Sequence, residues 1–168
     1  MKQLVRLAKA LATLSGWVAG AFLIVTTALI FTEITLRLLA GRSTLVAQEY
    51  SGYLLAAMIY GAAGYTLLKG EHIRVGLVYE RLSDRGKLWL DRIALALGLF
   101  FSTLLVLAFY NLFADSLHYH TKSFTPARTP MVYPHGAVLA GSVTLWLAFF
   151  ALLIESFLDP RPLGSASE

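Results

Sequence analysis

Cysteine is absent from this chain, and charged residues are scarce. Without cysteine, disulfide frameworks, thiolate zinc sites, iron–sulfur ligation and cysteine nucleophiles are all excluded. Charged residues make up 14% of the 168 residues, against about 25% in a typical soluble domain. Hydrophobic residues make up 57%, and they are spread along the whole chain instead of alternating with a polar surface. The composition therefore argues against a water-soluble fold and favours a protein embedded in lipid.

The formal net charge of +4 does not indicate a nucleic-acid-binding protein. The basic residues lie in short segments between apolar runs and form no continuous basic face. Positive charge beside apolar runs is typical of membrane proteins. We therefore expect membrane lipid, and not nucleic acid, to surround the chain.

Four apolar stretches free of Asp, Glu, Lys and Arg span residues 11–32, 50–68, 93–114 and 129–154. Each can cross a bilayer, because a helix rises about 1.5 Å per residue and the hydrocarbon core is about 30 Å thick. We predict an all-α membrane protein with four transmembrane helices at about residues 11–36, 47–69, 88–114 and 132–157. These helices form one domain over residues 1–160, followed by a short tail at 161–168.

The first stretch resembles a signal peptide, because basic residues precede an apolar segment. Its 22 uncharged residues exceed the core of a signal peptide, which is about 7–15 residues long. We therefore expect an anchor that is not cleaved.

The distribution of Lys and Arg predicts the orientation. The N-terminal segment holds three, the loop after the second span six and the tail one, whereas the other two loops hold four between them. Basic residues beside membrane spans are retained in the cytoplasm. With an even number of spans, both termini are predicted to be cytoplasmic.

The connection between the second and third spans exceeds the about 2–8 residues usual in helical bundles. Four of its apolar residues follow the i, i+3, i+4, i+7 spacing of one helical face, namely Val75, Val78, Tyr79 and Leu82. We predict a short amphipathic helix along the cytoplasmic interface, with a solvated connector as the alternative. Ser83, Asp84 and Gly86 give an N-cap signal before the third span. The third loop, at 118–134, is rich in proline, serine and threonine, which favours an extended turn.

Glu33 and Arg37 are spaced i, i+4, so their side chains meet at the outer end of the first span. Glu49 opens the second span on the same side of the membrane. An interfacial salt bridge that ends the helix is one interpretation, docking against a polar patch of a partner is another, and ion coupling is a third.

Small residues recur in the first two spans. Gly16 and Gly20 form a GxxxG step, and a further run comprises Gly52, Ala56, Ala57, Gly61 and Gly64. Small residues let helices approach closely in lipid, so close helix contacts are predicted. The pattern leaves open whether these contacts are internal or with another subunit.

Four histidines raise the possibility of bis-histidine haem, which requires facing imidazoles at a similar depth. The placement is poor, because His72 is on the predicted cytoplasmic side and His118, His120 and His135 are near the opposite face. His118 and His120 alone make a weak metal site. No cofactor is therefore expected in this chain, and a haem-carrying anchor subunit of an oxidoreductase is the alternative function.

The spans also lack the features of a complete transporter. Charged residues, broken helices and paired repeats near the membrane midplane mark transport pathways, and the interiors of these spans hold no charged residue. No enzyme site is visible either, so an accessory membrane subunit is the better hypothesis.

Several short motifs occur in order along nearly the whole chain. They are Glu33 and Arg37, then Gln48 and Glu49, then Gly61, Ala62 and Ala63, then 70–75 with a His-Ile-x-Val segment, and finally Thr129, Pro130, Pro134 and Gly136. With four spans, this order resembles the small permease subunit of tripartite ATP-independent periplasmic (TRAP) transporters. Gly76 departs from the family, which commonly has an acidic residue there.

The resemblance implies a multi-pass protein of a bacterial inner membrane that is not an enzyme. Its expected partners are a large TRAP permease subunit, which holds the substrate and sodium sites, and a periplasmic substrate-binding protein. The complex would take up an organic acid by symport, driven by an ion gradient. Interface or structural roles are expected for Glu33, Arg37, Glu49, Gly61, His72 and Arg74, and docking of the binding protein for Arg42, Lys122 and Arg128.

Overall fold

A computed structural model of the chain describes residues 2–69 and 82–158. These residues form four helices, α1 (Lys2–Ala40), α2 (Ala47–Leu68), α3 (Asp84–His118) and α4 (Val132–Leu158). All four are long and apolar enough to cross a membrane, which confirms the predicted all-α class and the number of spans. The predicted interfacial helix, apart from Leu82, lies outside the described residues, as do His72, Arg74 and the tail at 161–168.

Two of the helices are longer than the predicted spans. α1 has 39 residues and α3 has 35, so they are about 58 and 52 Å long at 1.5 Å per residue. Both exceed a hydrocarbon core of about 30 Å. The charge-free stretches end at the first Asp, Glu, Lys or Arg, but charged residues can continue a helix once it leaves the lipid.

Local signals explain where the helices begin and end. Ser83 is the N-cap of α3 and accepts a hydrogen bond from the backbone N–H of Gly86 at 3.4 Å, as predicted. α1 stops before Gly41, whose φ of +61° is the left-handed conformation that commonly terminates helices. The N-cap residue of α2, Val46, has no capping side chain. Thr44 replaces it, because its Oγ1 accepts from the backbone N–H of Ala47 at 3.4 Å.

Three of the helices, α1, α2 and α4, pack against one another, and α3 packs mainly against α4. The main core cluster consists of Ala12, Leu67, Leu95, Leu145, Ala148 and Leu152. A smaller cluster joins Val5, Ala8 and Ala151 of α1 and α4. Alanine is frequent at these contacts because small side chains allow close packing in lipid. Many large apolar side chains face outward, as in a membrane protein.

The closest helix contacts depend on glycine. A Cβ atom added to Gly141 of α4 would lie 2.7 Å from the backbone carbonyl carbon of Tyr60 and 2.8 Å from the backbone nitrogen of Gly61. A Cβ atom on Gly64 would lie 3.0 Å from the backbone oxygen of Thr144, and one on Gly16 would meet the side chain of Tyr65 at 2.6 Å. The small residues at these positions therefore serve contacts inside the chain.

The bundle has two chemically different ends. The loop end contains the α1–α2 loop (41–46) and the α3–α4 loop (119–131), and the terminal end contains the start of α1, the end of α2, the start of α3 and the end of α4. At the terminal end, Lys9 Nζ pairs with Glu155 Oε2 at 2.6 Å. There, too, Arg92 donates to the hydroxyl of Ser156 at 3.2 Å and to its carbonyl oxygen at 2.8 Å.

Candidate functional site

The polar residues singled out in the first span belong to a network at the loop end. Glu33 is only 7% exposed, although it lies near the end of a largely exposed helix. Its Oε1 accepts from Arg37 Nε and from Ser43 Oγ, each at 2.6 Å. Its Oε2 accepts from the backbone N–H of Thr44 at 3.0 Å and from the hydroxyl of Thr44 at 2.5 Å.

This carboxylate fixes the loop that joins α1 to α2. Ser43 Oγ also accepts from Arg37 Nη2 at 3.1 Å, so the guanidinium holds the acid and the loop together. Thr44 extends the network, because its hydroxyl oxygen accepts from the backbone N–H groups of Val46, the N-cap residue, and of Ala47, the first residue of α2. The two residues predicted as a helix-ending pair therefore form that pair and also position the next helix.

Glu49 has the corresponding role for the α3–α4 loop. Its Oε1 accepts from the phenol of Tyr53, one turn further along α2, at 2.8 Å. Its Oε2 accepts from the hydroxyl of Thr125, which lies 76 positions along the chain. The hydroxyls of Thr125 and Ser123 are 2.6 Å apart. Thr129 adds a contact with α2, since its hydroxyl donates to the phenol oxygen of Tyr50 at 3.2 Å.

The α3–α4 loop folds into a short hairpin. Lys122 and Pro130 form an isolated antiparallel bridge. The N–H of Ser123 donates to the carbonyl oxygen of Thr129, and that of Met131 to the carbonyl oxygen of Thr121, both at 2.9 Å. The predicted extended turn is therefore ordered by its own backbone hydrogen bonds, and Glu49 attaches it to α2. We call residues 121–131 the loop hairpin.

Two of the three basic residues predicted to dock a partner lie on the loop hairpin. Lys122 and Arg128 line an open cleft together with Ser123, Phe124 and Thr125. Phe124, which lines the same cleft, is fully exposed. Arg42 is also exposed, on the α1–α2 loop at the same end of the bundle. The loop hairpin thus carries an exposed aromatic ring together with two basic residues.

The histidines of the described residues occupy separate environments. His135 Nδ1 lies 2.6 Å from the hydroxyl of Ser116, which joins α4 to α3. His118 and His120 are exposed, and the ring of His118 makes an edge contact with Tyr119. Within 2–69 and 82–158, no three His, Cys, Asp or Glu residues are grouped so as to hold a metal ion.

Gly61, the remaining described site residue, is buried between α1 and α4. Its carbonyl oxygen accepts from the hydroxyl of Ser15 at 2.6 Å, and Thr144 Oγ1 lies 3.2 Å from the same hydroxyl. Hydrogen bonds therefore join α1, α2 and α4 next to the point where Gly141 of α4 packs against the backbone of α2.

The sequence did not single out three kinds of residue: hydroxyl residues that join helices, an exposed aromatic residue in a loop, and an amide within a span. Ser15 and Thr144 gave no signal, since their partners are distant in sequence. Phe124 could have been noticed as a large apolar residue in an otherwise polar loop. Asn111 could have been noticed as the chain's only asparagine, inside the third apolar stretch.

Comparison with protein families identifies the chain. Residues 26–159 match the family model described as "Tripartite ATP-independent periplasmic transporters, DctQ component". The match covers most of the chain. The chain belongs to this family. It is therefore a small membrane component of a TRAP transporter, as the resemblance in the sequence predicted. No curated protein and no solved structure matched the chain.

The family match covers every part of the loop-end network. It begins in the middle of α1, before Glu33, and ends one residue after α4. DctQ is a family of transporter components and not of enzymes, and nothing in the match favours the haem-carrying alternative. Membership also implies that this multi-pass protein works with other TRAP components, a large permease and a periplasmic binding protein.

Proposed function

We propose that this chain binds and anchors the large permease subunit of a TRAP transporter in a bacterial inner membrane. The complex takes up an organic acid, delivered by a periplasmic binding protein, at the expense of an ion gradient. The observation that carries the proposal is the family match over 26–159 on a four-helix chain. The substrate and sodium sites, in this proposal, belong to the large subunit.

The chemistry of the spans supports an anchoring role. Residues that move ions through a membrane are ionisable or lie on broken helices near the midplane. In the described parts of these spans, most serine and threonine hydroxyls return to the carbonyl oxygen of their own helix, as Thr26 does to Phe22 at 2.7 Å. Among the described residues, every buried side-chain nitrogen and oxygen has a hydrogen-bond partner. Few hydrogen-bonding groups in these spans are therefore left to bind a solute.

The orientation proposed from the Lys and Arg distribution places the loop end in the periplasm. The terminal end, with most of the basic residues, then faces the cytoplasm. Because the chain has no cysteine, single cysteines introduced at Ser43 and Ser83 report the two sides. A membrane-impermeant maleimide added to intact spheroplasts should label Ser43→Cys and not Ser83→Cys, and the reverse pattern would contradict the orientation.

We further propose that the loop hairpin and the α1–α2 loop dock the periplasmic binding protein. Arg42, Lys122 and Arg128 supply positive charge for an acidic patch, and Phe124 supplies an apolar anchor. Interfaces favour such pairs, because aromatic and arginine side chains carry much of the binding energy. The bond from Thr125 to Glu49 supports this role, since it attaches the docking surface to a transmembrane helix.

The other predicted site residues have structural roles in this proposal. Glu33, Arg37 and Glu49 hold the two loops, and Gly61 permits close packing of α2. For His72 and Arg74 we propose contact with the large subunit on the cytoplasmic side.

Reconstitution tests the anchoring proposal. The two membrane subunits encoded together should be purified as one complex and placed in liposomes with the binding protein and an inward sodium gradient. Uptake of an organic acid should require both membrane subunits. Uptake by the small subunit alone, or full uptake by the large subunit alone, would refute the proposal.

A charge-reversal series tests the docking proposal in the same liposomes. The variant with Arg42→Glu, Lys122→Glu and Arg128→Glu should raise the concentration of binding protein needed for half-maximal uptake, and Phe124→Ser should do the same. Arg85→Glu, on an exposed residue at the terminal end, is the matched control. An unchanged concentration in both loop-end variants would exclude this surface as the docking site.

A further inference from the structure

Asn111 of α3 carries an amide that no other described residue satisfies. It is the only asparagine in the chain. Its side chain is exposed and makes no hydrogen bond within the described part of the structure. The threonines on outward faces differ, because Thr27 and Thr103 donate to the carbonyl oxygens of Leu23 and Leu99 in their own helices.

The helical geometry directs Asn111 away from the bundle. Ser102, which is 1% exposed, marks the buried face of α3. Asn111 follows it by about two and a half turns at 3.6 residues per turn, and so lies on the opposite side of the helix. Asp115 and His118 follow Asn111 at i+4 and i+7, and both are exposed. An amide, a carboxylate and an imidazole thus form one outward stripe towards the loop end.

Asn111 falls within the charge-free stretch of α3, which we place in the hydrocarbon core. The charge-free stretch of the third span covers residues 93–114, and its midpoint falls between Thr103 and Leu104. Asn111 is about 11 Å from this midpoint along the helix axis, whereas half the core is about 15 Å. Asp115 is one further turn towards the headgroups. An amide without a partner at such a depth is unfavourable, because lipid tails offer no hydrogen bonds.

The same face carries the spacing of a helix-packing seam. Exposed residues alternate at steps of four and three along α3, namely Leu97, Phe101, Leu104, Ala108, Asn111, Asp115 and His118. Left-handed pairs of transmembrane helices pack through this spacing, and a polar residue at one position sets the register. Since α3 packs mainly against α4, this seam has no partner among the described residues.

We infer that the outward face of α3, centred on Asn111, binds a transmembrane helix of the large permease subunit. The partner helix offers a hydrogen-bonding side chain opposite Asn111 and a Lys or Arg about one turn nearer the membrane surface, opposite Asp115. The inference rests on the proposed function and adds to it the contact surface and the chemistry of the partner. Lipid headgroups fit less well, because they lie outside the core and the anionic ones repel Asp115.

Photo-crosslinking tests the surface in native membranes that contain the complete transporter. A photoreactive phenylalanine at Ala108, within the seam, should give an adduct with the tagged large subunit. The same group at Ile24, on the outward face of α1 and 71% exposed, is the matched control. No adduct from position 108, adducts with lipid only, or equal protein adducts from both positions would overturn the inference.

Substitution tests the amide itself. Asn111→Leu should weaken retention of the small subunit by the tagged large subunit about threefold or more, while Asn111→Gln should restore part of it. The control Thr27→Val removes a hydroxyl from the outward face of α1 and should leave retention unchanged. The unfolding temperature of isolated Asn111→Leu in detergent should not fall, because the side chain contacts no partner in this chain.

The outcomes separate this inference from the proposed function. If the wild-type chain fails to retain the large subunit, the proposed function is wrong. If the wild type retains it and Asn111→Leu does so equally well, only the assignment of this surface is wrong.

Discussion

Replacing Gly141 by alanine should separate α2 from α4 and destabilise the bundle. The added Cβ would lie 2.7 Å from the carbonyl carbon of Tyr60, 2.8 Å from the nitrogen of Gly61 and 2.9 Å from the Cβ of Tyr60. Favourable carbon–carbon contacts need about 3.5–4.0 Å. Two of the three atoms belong to the backbone of α2, so no side-chain rotation can relieve the clash, and the helices must move apart.

The expected magnitude follows from the cost of overpacking. One extra methyl group in a close-packed contact costs about 1–3 kcal/mol, and alanine returns up to about 1 kcal/mol over glycine in helix propensity. Gly52→Ala isolates the first effect, because a Cβ there meets nothing within 4 Å and the propensity gain is the same. Gly141→Ala should therefore be less stable than Gly52→Ala by about 1–3 kcal/mol.

Unfolding in mixed micelles measures this difference. Each variant is titrated with sodium dodecyl sulfate in a mild detergent, and loss of helicity is followed by circular dichroism. Equal midpoints for Gly141→Ala and Gly52→Ala would refute the close approach of α2 and α4. Destabilisation by Gly52→Ala alone would show instead that position 52, and not position 141, lies in a close helix contact.

Three further predictions concern the helix ends. Glu33→Ala should lower the unfolding temperature and expose residues 41–46 to proteolysis, and Glu33→Gln should do so less because it still accepts from Thr44; equal effects would show that the hydrogen bonds from Thr44 add nothing once the negative charge is lost. Ser83→Ala should cost about 0.5–1 kcal/mol of unfolding free energy through loss of the N-cap, whereas Ser83→Asp should be neutral. A double-mutant cycle on the half-buried pair Lys9 and Glu155 should give a coupling below about 1 kcal/mol that weakens in 1 M salt. A coupling unchanged by salt would indicate a pair shielded from solvent.

The sequence predicted the helices because their signals are local. The length of a charge-free stretch can be read from the sequence without knowing how the chain folds. The N-cap at Ser83 likewise depends only on the next few residues. The pairing of Glu33 with Arg37 was also predictable, since i, i+4 spacing brings the two side chains together on any helix. α1 and α3 continue beyond the predicted spans, because charge marks the edge of lipid and not the end of a helix.

The polar networks could not be predicted, because their members meet only after the chain folds. Glu49 and Thr125 are 76 positions apart, and Ser15 and Thr144 are 129 apart. A serine or threonine in a span gives little sequence signal, because most such hydroxyls donate to a carbonyl oxygen of their own helix and only a few bond to another helix. The glycines show the same limit: Gly16, Gly61 and Gly64 pack inside the chain, whereas Gly20 and Gly52 meet nothing within 4 Å. Their spacing alone did not separate these two groups.

The arrangement of the helices is consistent with the proposed anchoring role. α1, α2 and α4 contact one another through small residues, so they can associate in lipid through close packing. α3 is held mainly by α4 and turns Asn111, the one unsatisfied amide of the described span interiors, away from the bundle. Meanwhile Glu33 and Glu49 fasten both loops of the loop end to the helices. A partner bound along α3 and another bound on the loop hairpin would thus be held through one connected set of helices. In the proposed function, the small subunit can therefore connect a membrane partner to a periplasmic one.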